Sequence, residues 1–270
     1  MSKILLYVDG KGWEEFRLSD KEELEKRNIT IGSEAIIGHR VIIGHRAIIG
    51  HRAEIGDEAI IGHRAKIGDR AEIGDEAIIG SEAKIGYRAT IGDEAEIGDE
   101  AEIGERAKIG SEAIIGHRAK IGDRAEIGDE AIIGSEAKIG YRATIGDEAE
   151  IGDEAIIGHR AKIGDRAKIG DRAKIGYRAE IRHRATIEQG VTVKSIIFSG
   201  SMHVVSYWGE DRIQIGYKSK SIAEWIDCYK NIKASEEYSN EQIEEYRQYI
   251  SFISEFHKSE IKELEKRNIS

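Results

Sequence analysis

From Ile31 to Ile181 the sequence repeats one six-residue phrase, A-x-I-G-x-x, without an insertion. Isoleucine occupies all 26 positions at steps of six. Glycine follows it 25 times, Arg182 being the exception, and alanine sits four residues after it in 25 cases, Val41 being the other. A strict short period fixes architecture before any local propensity does, because each copy must take the same shape and bury the same side chains against its neighbours.

Alternation within the phrase gives the local structure. Ala and Ile lie two apart, so in an extended strand they point to one side and the residue between them points to the other. Glycine after Ile suits a bend where a side chain would clash or where φ is positive. The next two residues are nearly always charged or polar, as in Asp57-Glu58, His63-Arg64, Ser81-Glu82 and Tyr87-Arg88, which suits an exposed corner. A helix fails this pattern. A period of six drifts around a helix of 3.6 residues per turn, and each interior glycine would cost about 1 kcal/mol.

The phrase Ile-Gly-Asp-Glu-Ala-x at 55–60, with its copies, resembles the hexapeptide repeat of left-handed parallel β-helices. That family includes bacterial acyl- and acetyltransferases and γ-class carbonic anhydrases. The resemblance implies three hexapeptides per triangular coil, with a left-handed crossover that departs from the usual right-handed rule. Twenty-six hexapeptides make nearly nine coils, and at about 4.8 Å per coil the prism is on the order of 40 Å long. The expected fold is mainly β: a left-handed β-helix over 29–193, a small N-terminal β/α cap over 1–28, and a C-terminal hairpin plus two-helix cap over 194–270.

Composition narrows the function classes. The formal net charge is −10, which argues against general nucleic-acid binding. Cys228 is the single cysteine, so neither a disulfide framework nor a cysteine metal site is expected. No apolar run approaches a membrane span, and Ile4–Val8 is too short for a signal peptide. A cytoplasmic protein without membrane partners is the expectation. Proline is absent, and residues 59–101 are identical to 113–155. That identity, at an offset of three coils, reads as recent duplication or deliberate design.

The ends of a solenoid expose open strand edges and need covers. At the N-terminus, Lys3–Val8 and Trp13–Leu18 read as strands about an Asp9-Gly10 turn. Ser19 with Glu22 reads as a capping box for a helix through Arg27. At the C-terminus, Val191–Phe198 reads as a strand or two, with His203–Trp208 and Arg212–Tyr217 as a hairpin. Ser221/Glu224 and Ser239/Gln242 cap two helices. The second of these, about 240–267, is amphipathic through Ile243, Tyr246, Ile250, Ile253, His257 and Leu264. It is expected to pack on the solenoid, with a trimeric bundle as the alternative. The segment Glu23–Ile29 recurs as Glu263–Ile269, which the repeat does not explain.

Sorting positions by coil reveals rows. One edge carries Arg52, Arg70, Arg88, Arg106, Arg124, Arg142, Arg160 and Arg178. Another carries Glu58, Glu76, Glu94, Glu112, Glu130 and Glu148. One face carries Ile42, Ile60, Ile78, Ile114 and Ile132 outward, broken by Glu96 and Glu150, and a second carries Lys66, Lys84, Lys120, Lys138 and Lys174. A long apolar stripe marks contact, and stacked arginines repel unless acid lies near. A homotrimer would relieve both, burying the Ile face and joining the Arg edge of one prism to the Glu edge of the next. The resemblance supports this, since hexapeptide enzymes are commonly trimers.

Catalytic readings are weaker. The resemblance implies acyl transfer, with a histidine base near a groove between subunits. His39, His45, His51, His63, His117, His159 and His183 all occupy the same corner position beside Arg, where an exposed structural residue is the plainer reading, and no loop interrupts the solenoid to wall off substrate. A zinc site needs three converging ligands. His39, His45 and His51 sit on three edges and diverge; His45 and His63 share an edge, and no third ligand is evident. Thr90, Thr144, Thr186 and Thr192 are too scattered for a flat ice-binding rank. The Arg and Lys flank could hold a polyanion, and Tyr207, Trp208, Tyr217 and Trp225 read as the cap's small core. The sequence therefore points to a structural rod or scaffold whose partner is itself, with no cofactor, metal or catalytic residue assigned, and an acyltransferase-like enzyme as the alternative.

Overall fold

A computed structural model describes residues 3–8, 12–193, 196–207, 211–216, 218–231 and 239–267. From Thr30 to Val193 each hexapeptide forms one short strand, and each strand pairs in parallel with the strands 18 residues before and after it. Three parallel sheets result, one per side of a triangular prism. Their outward residues name them. The isoleucine face holds Ile42, Ile60, Ile78, Ile114 and Ile132; the lysine face holds Lys66, Lys84, Lys120, Lys138 and Lys174; the mixed face runs from Ile36 through Thr90 and Thr144 to Glu180.

Inside the prism, identical residues stack in register: Ile61 on Ile79 on Ile97, with the alanines fully buried between them. Burying each Ile is worth about 1.5–3 kcal/mol. That gain meets a specific backbone cost. The second corner residue of 26 consecutive hexapeptides, Glu34 to Arg184, adopts φ between 55° and 60°, although it is always Glu or Arg. A left-handed conformation costs such a residue roughly 1–2 kcal/mol, so each copy of the repeat still comes out ahead.

The repeat glycines serve a different need from positive φ. A Cβ on Gly92 would lie 2.5 Å from Ser111 N and 2.6 Å from Gly110 C in the coil above. Glycine is required because two backbones meet at the corner. Arg182, the one residue to break the glycine rule, follows the last strand of the mixed face, where no coil lies above to be struck.

The first corner position is also determined physically. Its side chain accepts a hydrogen bond from the backbone N–H one coil below, as in Asp57 N to Asp75 Oδ1 at 2.7 Å and Asp75 N to Asp93 Oδ1 at 3.0 Å. Histidine does the same: Tyr141 N–H donates to His159 Nδ1 at 2.8 Å, and His45 N–H to His63 Nδ1 at 2.9 Å.

At the N-terminus, Lys3–Val8 adds in parallel to Val41–Ile43 and extends the isoleucine face, with Gly12–Arg17 antiparallel beyond it. Helix α1 (Lys21–Lys26) follows, burying Leu24. Its N-cap is Asp20 and no side chain caps it, so the Ser19/Glu22 capping box does not form. Instead Asp20 accepts from Arg17 N at 3.1 Å.

At the C-terminus the expected hairpin is a four-stranded antiparallel sheet: Ile196–Ser199, Val204–Tyr207, Arg212–Ile215 and Lys218–Ser221. Helices α2 (Ile222–Asn231) and α3 (Asn240–Arg267) follow. Both capping boxes form here: Glu224 N donates to Ser221 Oγ, and Gln242 N to Ser239 Oγ. Among the described residues the buried side of helix α3 packs on this sheet and on α2, where the sequence had suggested the solenoid. Tyr246, Ile250 and Ile253 join Val205, Tyr207, Ile213 and Trp225 in a second core, separate from that of the prism. Trp225 donates its indole N–H to Ile213 O at 2.7 Å. Trp208, Tyr217 and the end of the repeated segment after Arg267 lie outside the described residues. No helix among the described residues is long and apolar enough to cross a membrane.

Candidate functional site

The topology fixes where each row lies. The arginine row, Arg52 to Arg178, is the corner between the lysine and mixed faces, opposite the isoleucine face. The glutamate row, Glu58 to Glu148, is the corner between the mixed and isoleucine faces. Only the latter borders the apolar stripe.

Part of the corner charge is settled within the chain. Arg40 pairs with Glu58, Arg64 with Glu82, Arg118 with Glu100 and Arg172 with Glu154, each across one coil at 2.7–2.9 Å. Hydrogen bonds from these partners hold the Glu100 and Glu154 carboxyls below their ordinary pKa, as Arg52 does for Glu34. On the arginine ridge the partners are aromatic. Arg70 donates to the Tyr87 hydroxyl at 3.1 Å while the Arg88 guanidinium lies 5.1 Å over the same ring. Arg124, Tyr141 and Arg142 repeat the arrangement, as do Arg160, Tyr177 and Arg178. Position sorting did not reveal these clamps, because the 17-residue offset of donor to hydroxyl only becomes a contact once coils stack.

The histidines separate by what their rings do. His63 and His159 spend Nδ1 on a backbone N–H, which places the proton of a neutral ring on Nε2 and removes the lone pair a base would use. His51 Nδ1 meets Ser33 Oγ at 2.8 Å. His45 and His63 lie edge to face with ring centroids 5.4 Å apart. Among the described residues no group of three metal-ligating side chains exists, so this pair gains no third ligand.

His183 differs. It lies at the end of the acidic corner with Nδ1 3.8 Å from the Asp165 carboxylate. That is ion-pair range, not a hydrogen bond. The pair opens into a cleft of about 730 Å³ between the last coils of the mixed face and the C-terminal sheet. Lys162, Glu180 and Arg182 line the solenoid side; Arg212, Gln214 and Ser219 line the other. Arg212 is held in place by Ser219, its Nη2 donating to the Ser219 carbonyl at 2.9 Å. Three cations, a histidine and its carboxylate thus converge where the solenoid ends. The sequence signal was available: Arg182 is the single break in the glycine row.

Residues 52–87 and 100–134 match the family described as bacterial transferase hexapeptide (six repeats). The solenoid is a left-handed β-helix of hexapeptide repeats. Similar solved structures include UDP-N-acetylglucosamine O-acyltransferase from Moraxella catarrhalis, 22% identical, with a TM-score of 0.53 over 54% of this chain and 65% of that one. UDP-N-acetylglucosamine acyltransferase from Campylobacter jejuni is 23% identical, with a TM-score of 0.40 over 57% and 65%. The chain therefore spans just under two thirds of the length of these proteins. Among curated proteins none matches by sequence.

These findings correct the functional expectation. A rod without catalytic activity was the first reading of the sequence. The matching family is described as one of bacterial transferases, so the comparisons favour the alternative, an acyltransferase-like enzyme, over a non-catalytic rod.

Proposed function

We propose that this protein is an acyltransferase-like enzyme whose active site is the cleft at the end of the solenoid. The observation that carries the reading is the His183–Asp165 pair opening among Lys162, Arg182 and Arg212. At 3.8 Å the Asp165 carboxylate makes no hydrogen bond to Nδ1, but its charge stabilises the imidazolium that forms when His183 takes up a proton as a base. In the proposed reaction His183 takes the proton of an acceptor hydroxyl as its oxygen attacks a thioester carbonyl. The tetrahedral intermediate then expels the thiolate, which receives that proton. The C–O bond forms in the first step and the C–S bond breaks in the second. The three cations suit the phosphates of a coenzyme A thioester or of a nucleotide-sugar acceptor.

The test is release of free coenzyme A thiol from acetyl-CoA with UDP-N-acetylglucosamine as acceptor. Removing the base, by His183→Asn, is expected to lower the rate about 10²–10⁴-fold, and Asp165→Asn to lower it less. Wild-type turnover no faster than the uncatalysed background overturns the reading, and so does a His183→Asn enzyme of full activity.

The protein is further proposed to be a homotrimer through its isoleucine face. Ile78, Ile114 and Ile132 are about two-fifths exposed, and Leu5 continues the row in register with Ile42. With that face inward the Arg52–Arg178 ridge points outward, so this ridge does not meet the Glu58–Glu148 corner as expected from the sequence. That Glu corner instead meets the neighbour's mixed corner, which carries Arg46, Arg64, Arg118 and Arg172 together with Glu82, Glu100, Glu136 and Glu154. Light scattering should give three times 30.0 kDa, falling to the monomer for Ile78→Lys/Ile132→Lys. A wild-type monomer refutes it.

A further inference from the structure

We propose that the arginine ridge and the adjoining lysine face form one docking track for a linear sulfated or carboxylated polysaccharide. The chain is acidic overall, yet its charge is segregated. The eight ridge arginines and five face lysines stand against five carboxylates at the same positions, Glu34, Asp69, Glu102, Glu105 and Asp123. The opposing surplus of acid lies on the Glu58–Glu148 corner.

The ridge charges are available. Among the described residues, Arg52 is the one ridge arginine that makes an ion pair, to Glu34 at 2.8 Å. The tyrosine clamps hold six of the others, Arg70, Arg88, Arg124, Arg142, Arg160 and Arg178, in a row without neutralising them, since a phenol hydroxyl and a ring face carry no formal charge. On the lysine face Glu102 is shared between Lys84 at 2.8 Å and Lys120 at 3.4 Å. The open groove of about 730 Å³ beside them is lined by Lys84, Lys120 and Lys138 but also by Glu102, Glu105 and Asp123, so the net positive charge of the track comes from the arginine ridge.

The spacing selects the partner. Cations recur once per coil, about every 4.8 Å, so the ridge offers a straight row on the order of 30 Å long. A pyranose residue advances along an extended chain by a distance close to one coil, so successive acidic sugars meet successive arginines. Single-stranded nucleic acid would need a run of aromatic faces for successive bases, and the ridge offers only Tyr87, Tyr141 and Tyr177, three coils or two coils apart and each with a guanidinium over its ring. The track lies on the side of the prism away from the isoleucine face, so a trimer leaves it open.

The test uses heparin as probe, with binding followed by calorimetry at 50 and 150 mM salt. Arg106→Asn/Arg124→Asn/Arg142→Asn, made in the full chain, should weaken binding at least tenfold and reduce the salt slope by about three contacts. The control Lys21→Asn/Arg247→Asn/Lys258→Asn removes the same charge from exposed positions on the two end caps, away from the track and from the proposed subunit contact, and should bind as wild type. Equal loss in both triples reduces the effect to unspecific charge and overturns the track. Absence of heparin binding at 50 mM salt also overturns it, as does tighter binding of single-stranded DNA. The His183 cleft is untouched by either triple, so acyl-transfer activity reports separately.

Discussion

Two neighbouring residues of one repeat should respond to substitution with opposite sign. In Gly92→Ala the new Cβ lies 2.5 Å from Ser111 N and 2.8 Å from Ser111 Cα, where ordinary contact begins at 3.4 Å. The coil above must lift by most of an ångström. That exceeds what the 2.9 Å bonds from Gly92 N to Ile109 O and from Thr90 N to Ala107 O can absorb. Overpacking strain of about 1–3 kcal/mol and one or two lost hydrogen bonds at about 1 kcal/mol each give a local destabilisation of about 2–5 kcal/mol. Glu94, two residues on, holds φ at 57°. Glu94→Asn keeps this backbone and relieves part of the left-handed penalty, for a gain of about 0.5–1 kcal/mol. Glu94→Gln removes the same charge without that relief and isolates the backbone contribution. A repeat array need not unfold in one step. The assay is therefore native-state hydrogen exchange at the amides of residues 90, 92 and 108, where tenfold in protection is about 1.4 kcal/mol. Protection in Gly92→Ala within twofold of wild type would refute the close-approach argument. Asn no better than Gln at position 94 would refute the strain argument.

Tyr141→Phe deletes the acceptor for Arg124 but keeps the ring under Arg142, so it should cost under about 1 kcal/mol, and Tyr141→Ala should cost more, both read by the same exchange. Trp225→Phe removes the buried bond to Ile213 O and should lower the stability of the C-terminal sheet by about 1–3 kcal/mol, leaving exchange in the central coils unchanged. Stability should also fall in acid. The carboxyls of Glu34, Glu100, Glu148 and Glu154 are held below the ordinary 4.5 by hydrogen bonds from Arg52, Arg118, Arg166 and Arg172. Their pKa is lower folded than unfolded, so their contribution is complete above pH 4.5 and is lost as pH falls through the lowered values. Circular dichroism from pH 7 to 2 should show no loss from these pairs above about pH 5. A loss centred near neutrality would contradict the assignment.

By itself the sequence determined the solenoid. A period of six with Ile and Ala two apart admits one buried ladder, and every coil repeats it because every copy is chemically the same. The three faces, the rows and the outward isoleucines were all legible by counting. What counting could not supply was vertical contact. Whether glycine answered a positive φ or a close approach depended on the coil above, and the left-handed residue proved to be the Glu or Arg two places later. Tyr87, Tyr141 and Tyr177 read as corner residues until stacking laid each between two arginines. The capping box at Ser19 failed because Asp20 took the cap position, whereas Ser221 and Ser239 formed theirs. Helix α3 found its partners on a sheet that only folding assembles, from strands whose sequences carry no repeat. The histidines were alike in sequence. Only tertiary structure set His183 apart, because the solenoid ends there, no coil lies above Arg182, and the C-terminal sheet closes over the gap.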